Sequence, residues 1–148
     1  MGFDAHPVPT PELLVSMTSD PASLALAAFA LLTLVHVGAH SLALKAAVGD
    51  AWTRGARDVP AVPSALAGRL ERALRNFLET APAFLALMLA AHVSARHSPL
   101  IGGGAAVYLG ARAAYLPAYA SGLPHLRTGC WLVATLGLVA MLVGVLLP

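Results

Sequence analysis

The last part of the chain, from Thr128 to Pro148, contains no charged residue. A helix rises about 1.5 Å per residue, so this segment is long enough to cross a hydrocarbon core about 30 Å thick. A helix that is apolar on all sides has to be surrounded by other protein or by lipid. The segment therefore predicts an integral membrane protein.

The composition of the whole chain agrees with this interpretation. Hydrophobic residues make up 58% of the chain and charged residues 11%, and the mean hydropathy is +0.76. The single cysteine, Cys130, excludes an intrachain disulfide. The net charge of +2 comes from basic residues beside the apolar segments, so no nucleic-acid partner is expected. One domain is predicted over residues 1–148.

Three further apolar stretches precede the last one, separated by segments that favour turns. Gly49 to Ser64 is predicted to be a polar loop, and Ser121 to Pro124 a tight turn. Met1 to Asp20 is expected to be an exposed leader. Because short connections favour antiparallel neighbours, the predicted fold is an all-α membrane protein, an up-down bundle of four transmembrane helices. The predicted spans are 22–48, 68–95, 100–120 and 125–147.

The distribution of positive charge predicts the orientation in the membrane. Basic residues collect on or near the connections after the first and third spans, whereas Arg96 alone lies at the opposite side. By the positive-inside rule both termini lie outside and the basic ends in the cytoplasm. The compact, alanine-rich chain fits a bacterial inner membrane. The residues that set this orientation are Lys45, Arg54, Arg57, Arg69, Arg72, Arg75, Arg112 and Arg127.

Polar side chains enter the second predicted span in a helical pattern. Arg69, Arg72, Asn76 and Glu79 are spaced by three, four and three residues and form one stripe, with Arg75 beside it. An ionisable side chain at the centre of a bilayer costs about 2.5 to 3.5 kcal/mol on insertion scales. Asn76 and Glu79 are therefore expected to face protein or a wet cleft.

A second polar stripe lies on the third predicted span. Arg112, Tyr115 and Tyr119 are spaced by three and four residues, and Arg127 opens the fourth span after the connecting turn. Guanidinium groups bind carboxylates through two hydrogen bonds, and Glu79 can accept a hydrogen bond from an amino group. The two stripes together suit a small zwitterionic or anionic ligand such as glutathione.

Two structural interpretations of these charges remain open at this point. Glu79 paired with Arg72 or Arg75 could form a buried network that fixes helix register instead of a binding site. Arg69 could set topology, or pair with a phospholipid phosphate.

The order and spacing of the polar residues resemble the MAPEG family, the membrane-associated proteins in eicosanoid and glutathione metabolism, over about residues 26–147. The matching pattern is Glu71-Arg72-x-x-Arg75-Asn76-x-x-Glu79-Thr80-x-Pro82, then Arg112-x-x-Tyr115-x-x-x-Tyr119, then Arg127. The resemblance implies a homotrimer of four-helix subunits that binds glutathione between neighbouring subunits near the cytoplasmic face.

The resemblance also implies a role for each matching residue. Arg72, Asn76 and Glu79 would hold the glutathione backbone, with Arg75 as a supporting ion-pair partner. The adjacent subunit would contribute three contacts, from Arg112, Tyr115 and Tyr119. Arg127 would be the catalytic residue, because a guanidinium near the sulfur favours thiolate over thiol. The implied reaction is conjugation or peroxide reduction of a lipophilic electrophile that reaches the site through the membrane lipids.

The chain departs from the family pattern at several positions. Members that use glutathione commonly carry an arginine near the cytoplasmic end of the first helix, where this chain has His36, His40 and Lys45. Leu74 and Tyr115 replace histidines of the prostaglandin synthase pattern, so that isomerase activity is not expected. No carboxylate or cysteine accompanies the two histidines at matching spacing, so packing is expected of them and no metal site is predicted. The alternative function is a non-catalytic trimeric membrane protein that binds lipid or scaffolds a partner.

Overall fold

A computed structural model describes residues 20–60 and 62–147 of the chain. Within these residues all regular secondary structure is helical. Apart from Asp20, the predicted leader lies outside the described residues. The four predicted spans lie on four α-helices: α1 (Pro21–Arg54), α2 (Ala65–Val93), α3 (Pro99–Ser121) and α4 (Pro124–Leu146).

Capping side chains and turn residues set the helix ends. The side chains of Asp20 and Ser64 each accept a hydrogen bond from the backbone N–H three residues later, at 3.1 and 3.2 Å. Each bond satisfies an N–H that has no partner within the helix. Gly122 ends α3 with a φ of 78°, a left-handed conformation that glycine adopts without a steric penalty. The short turn after it brings the start of α4 beside the end of α3.

The first helix extends further than the sequence predicted. A loop was expected from Gly49 onwards, but the chain only bends there, with a φ of 82°, and stays helical to Arg54. Asp50 explains the continuation, because its carboxylate pairs with Lys45 at 2.8 Å before the bend and with Arg54 at 3.3 Å after it. Both pairs are exposed, so each is worth only a few tenths of a kcal/mol to about 1 kcal/mol.

Stacked aromatic rings pack the first three helices together and show their directions. His36 of α1 stacks on Phe77 of α2 with ring centroids 4.5 Å apart, and Phe29 stacks on Phe84 at 5.0 Å. Because the contacts move backwards along α1 as they move forwards along α2, the two helices are antiparallel. Phe84 also stacks on Tyr108 at 4.8 Å, which extends the row of rings to α3. These rings form the centre of the core.

Two glycines bring the backbones of α3 and α4 into contact. A Cβ atom added at Gly104 would lie 2.6 Å from the carbonyl oxygen of Gly137, and one added at Gly137 would lie 2.7 Å from that of Gly104. No side chain fits at these distances. Of the three consecutive glycines at positions 102 to 104, only Gly104 makes such a close approach. Gly102 and Gly103 face away, with no atom within 4 Å of an added Cβ among the described residues.

Three helices, α1, α2 and α4, are long and apolar enough to cross a membrane. By the same measure α3 is not, and its residues explain why. It carries Arg112 and three tyrosines, of which Tyr108 and Tyr115 are buried, as is the arginine. The polar groups of α3 thus face other helices, not lipid. That α3 crosses the membrane as a fourth span stays a prediction.

Large apolar side chains remain exposed on the outer helices. Leu31, Leu34 and Leu42 of α1 are 63%, 68% and 70% exposed, and Leu136 of α4 is 66% exposed. Exposed apolar side chains in this number on apolar helices are typical of surfaces that contact lipid or other protein. The described chain therefore presents a surface suited to a membrane.

We expect Gly104→Ala and Gly137→Ala each to lower the thermal unfolding temperature of the protein in detergent. The added methyl would force α3 and α4 apart, and overpacking of this kind typically costs about 1 to 3 kcal/mol. Gly103→Ala is the matched control, because an added Cβ there meets open space. Equal unfolding temperatures for the Gly104 and Gly103 variants would contradict the backbone contact.

Candidate functional site

The guanidinium of Arg112 is the largest fully buried polar group in the described part of the chain. Its side chain is 0% exposed. Nη1 donates a hydrogen bond to Oδ1 of Asn76 at 2.8 Å, and Nη2 donates to Oγ1 of Thr80 at 2.7 Å. Both acceptors lie on α2, one helical turn apart. Arg112 therefore joins α3 to the polar motif of α2.

Further hydrogen bonds spread from these two acceptors. The Thr80 hydroxyl lies 2.9 Å from that of Tyr108, and Asn76 Nδ2 donates to Oε2 of Glu79 at 3.3 Å. We call these five residues, Asn76, Glu79, Thr80, Tyr108 and Arg112, the arginine network. It links a carboxylate at the protein surface to a charged group inside the bundle.

The positive charge of Arg112 is balanced without a direct ion pair. Within residues 20–60 and 62–147, no carboxylate oxygen lies within 4.0 Å of its nitrogen atoms. Neutral oxygens accept from it, and its Cζ lies 5.6 Å from the ring centroid of Tyr108 and 5.2 Å from that of Tyr115. Aromatic faces attract cations, and the attraction increases when water is excluded. These contacts offset part of the cost of burying the charge.

The ion pair observed on α2 is not one of those that the sequence suggested for Glu79. Arg75 pairs with Glu71 at 3.0 Å, on the exposed side of the helix. Glu79 forms no ion pair with Arg72 or Arg75 among the described residues. Within the single chain Glu79 is exposed, and its contact is with an amide and not with an arginine. Its carboxylate is accessible to a ligand.

Two cavities lie beside the arginine network, and Arg127 and Tyr119 belong to the walls of both. The first cavity has a volume of about 420 Å³, and the second about 290 Å³. The guanidinium of Arg127 stacks on the ring of Tyr119, with Cζ 5.2 Å from the centroid. This stacked pair divides one polar groove into two parts. Asn76, Tyr115, Thr128 and Trp131 complete the wall of the second cavity.

The predicted site residues lie in four places: the first cavity, the second cavity, the exposed surface of α2 and the interior of the bundle. Arg72 lines the first cavity, Asn76 and Tyr115 line the second, and Tyr119 and Arg127 line both. Arg75 and Glu79 lie on the exposed surface of α2, and Arg112 is enclosed inside the bundle. Residues of both stripes thus line the cavities, whereas Glu79 lines neither and Arg112 turns inward toward α2 within its own chain.

Sequence reasoning assigned no role to Thr80 or Tyr108 and expected only packing of His36. Thr80 and Tyr108 lie four residues from Asn76 and Arg112 respectively, so the helical period already placed each on the same face as a candidate residue. His36 packs on Phe77, and its Nδ1 lies 2.9 Å from the carbonyl oxygen of Leu32, to which it donates. That contact fits the expected packing role.

We expect Thr80→Val to lower the free energy of unfolding by about 1 to 3 kcal/mol. The substitution keeps the side-chain shape but removes the oxygen that accepts from Arg112 and contacts Tyr108, which leaves buried polar groups without a partner. Thr135→Val is the matched control, because that hydroxyl bonds only to a carbonyl of its own helix, at 2.9 Å. Thermal unfolding in detergent measures both. Equal losses would show that the network adds nothing specific.

The sequence profile of the MAPEG family matches residues 22–147, from the first turn of α1 to the end of α4. No curated protein matches the chain, and neither does any solved structure. The family match covers both polar stripes and the residues around the two cavities. Together with the apolar helices, it establishes that the chain is an integral membrane protein that belongs to the MAPEG family.

Proposed function

We propose that this protein is a glutathione-dependent transferase or peroxidase that acts on lipophilic electrophiles in the membrane. The observation that carries the proposal is the position of Arg127. Its guanidinium lies in the walls of both cavities. Among the described residues, the ion pairs involve Lys45, Arg54 and Arg75 but not Arg127. Its full charge is therefore available to a ligand.

The groups around the cavities match the groups of glutathione, which has two carboxylates, an amino group, amides and a thiol. Arg72 is exposed at the first cavity and can donate two hydrogen bonds to a carboxylate. Asn76 presents an amide at the second cavity. Glu79 is exposed and can accept a hydrogen bond from an amino group. These contacts are a hypothesis about the ligand, supported by the donors and acceptors present.

The proposed chemistry begins with the thiol of glutathione. A guanidinium beside the sulfur lowers the pKa of the thiol, because it stabilises the thiolate more than the thiol. The proton leaves to water. In conjugation, the thiolate sulfur forms a bond to an electrophilic carbon, and the leaving group departs with the bonding electron pair. Arg127 would hold the thiolate, and Tyr119 holds the guanidinium by stacking under it.

The exposed apolar surface of the helices supports an apolar second substrate. Large apolar side chains are exposed along α1 and α4, so a substrate dissolved in lipid can approach the bundle from the side. We propose that the protein is a homotrimer, that both termini lie outside, and that the cavities open toward the cytoplasm. The basic residues near the cavity ends of α2 and α4 support this orientation. A bacterial inner membrane is the proposed location.

One observation favours the second candidate, a non-catalytic trimeric protein that binds lipid or scaffolds a partner. The arginine network binds both Nη atoms of Arg112, and the side-chain amide of Asn76, through contacts inside the chain. In that case the motif would serve to join α2 and α3. Glutathione titration separates the two candidates.

We expect saturable glutathione binding to the detergent-purified protein, measured by isothermal titration calorimetry. Glu79→Ala and Arg72→Ala should each weaken binding by about tenfold or more, because each removes a charge-assisted hydrogen bond. Arg54→Ala is the control, since this exposed arginine pairs with Asp50. Absence of wild-type binding at millimolar glutathione would favour the lipid-binding or scaffolding candidate.

We expect Arg127→Ala to preserve the assembly and to abolish the ultraviolet thiolate absorbance of bound glutathione. Without the guanidinium, the pKa of the bound thiol rises, and kcat with an aryl halide should fall about 10²- to 10³-fold. Size-exclusion chromatography checks the assembly, and Arg54→Ala again serves as the matched variant. A normal thiolate signal from the Arg127 variant would remove that residue from the proposed chemistry.

A further inference from the structure

The first cavity has a wall that the glutathione hypothesis uses only in part. Its volume of about 420 Å³ is within the range of about 300 to 1,000 Å³ typical of small-molecule sites. The first turns of α2, the last turn of α3 and the start of α4 enclose it. Arg69, which has no place in the proposed glutathione site, is one of three arginines in this wall, with Arg72 and Arg127.

The positive charge of this cavity is not neutralised within the described part of the chain. None of the described residues in its wall is acidic, and none of its three arginines forms an ion pair with a described carboxylate. Nε of Arg69 is buried and has no hydrogen-bond partner there. Like charges that line one cavity repel one another, and the repulsion is stronger near protein than in bulk water. An anion in the cavity would relieve this repulsion.

Two helix N-termini add to the positive potential. Ser64 and Ala65, the cap and first residue of α2, lie in the wall, as does Leu123, the cap residue of α4. The N-cap of α4 makes no side-chain capping bond. Each helix N-terminus carries the equivalent of about half a positive charge. The C-terminus of α3 contributes an opposite half charge, so the sum remains strongly positive.

Two glycines pack against the guanidinium groups of Arg69 and Arg72. A Cβ added at Gly122 would lie 3.7 Å from Nη1 of Arg69, so the backbone of the α3–α4 turn packs against this guanidinium. A Cβ added at Gly68 would lie 3.5 Å from Nη1 of Arg72. Both glycines belong to the cavity wall. Arg69 is thus held between α2 and the turn, with its planar group beside the cavity.

We propose that the first cavity is a binding site for a phosphate monoester group, with Arg69 as its anchoring residue. A dianionic phosphate matches three guanidiniums and two helix N-termini better than a single carboxylate does, and guanidinium forks fit phosphate oxygens with paired hydrogen bonds. The cavity is larger than a phosphate alone, so it accommodates an attached organic group as well. This site shares Arg72 and Arg127 with the proposed glutathione site, but it does not require that the protein bind glutathione.

The phosphate monoester can come from a lipid headgroup or from a soluble metabolite, and two probes separate these sources. The full-length protein, purified in an uncharged detergent at low ionic strength, is titrated calorimetrically with inorganic phosphate. It is then titrated with mixed micelles that contain phosphatidic acid, a lipid phosphate monoester. Micelles with phosphatidylglycerol, an anionic phosphate diester, control for simple charge attraction. Binding of both probes indicates a soluble or shared ligand, and binding of phosphatidic acid alone indicates a lipid.

Arg69→Gln should weaken phosphate-monoester binding at least about tenfold, because it removes the charge and the fork of the guanidinium. Arg54→Gln makes the same chemical change at an exposed arginine that pairs with Asp50, and should bind as the wild type does. Thermal unfolding shows whether the Arg69 variants fold. Arg69→Lys, which keeps the charge without the fork, should bind more weakly than the wild type and more tightly than Arg69→Gln.

Three results would overturn the proposal: no wild-type binding of either inorganic phosphate or phosphatidic acid, equal binding of phosphatidylglycerol and phosphatidic acid, or unchanged binding by Arg69→Gln. Glutathione titration of the same samples keeps the two hypotheses apart. If the wild type binds phosphate through Arg69 but does not bind glutathione, the phosphate proposal holds and the glutathione hypothesis fails. If it binds glutathione but not phosphate, the reverse is true.

Discussion

The buried guanidinium of Arg112 is the contact on which the arrangement of the polar motif depends. A charge in this position needs several acceptors, and α2 supplies two of them one turn apart, at 2.7 and 2.8 Å. The need to satisfy this group sets the rotation of α2 and α3 relative to each other. The same bonds orient Asn76, which in turn reaches Glu79. The polar motif therefore has a structural role before any ligand binds. Leaving the buried charge of Arg112 without acceptors would cost more free energy than the hydrogen bonds of the network contribute.

The polar residues of the motif fall into two groups, those that join helices and those that line the cavities. Asn76, Thr80 and Arg112 hold the helices together, while Arg72 and Arg127 present charge to cavities. Tyr119 belongs to both cavities, because its ring supports Arg127 between them. Ligands in the two cavities would share this arginine. Binding in one would therefore be expected to affect binding in the other through a contact that both use.

Much of the fold and part of the site follow from the sequence. The apolar runs predict the helices, and the three-and-four spacing predicts which polar residues share a face of α2 and which share a face of α3. In the structure Asn76, Tyr115, Tyr119 and Arg127 all line the second cavity. A helical period identifies a face but not the partner that covers it, so it could not predict that Arg112 turns toward Asn76. Nor could it distinguish Gly104 from the two glycines before it, because only the crossing of α3 and α4 decides which one meets Gly137. The helical turn beyond Gly49 was not predicted either, because a glycine in the sequence favours a loop, whereas the pairing of Asp50 with Lys45 spans the bend.

The contact between Gly104 and Gly137 has a mechanical consequence. With their backbones touching, α3 and α4 cannot slide or separate without losing contacts along their length, so they act as one rigid hairpin. Tyr119 near the end of α3 and Arg127 near the start of α4 are carried by that hairpin, and their stacking is preserved when it moves. Any widening of the cavities therefore has to come from displacement of α2 against the hairpin. Such a displacement would stretch the hydrogen bonds of the arginine network, which join α2 to α3. The size of the cavities therefore depends on the bonds of one buried side chain, Arg112.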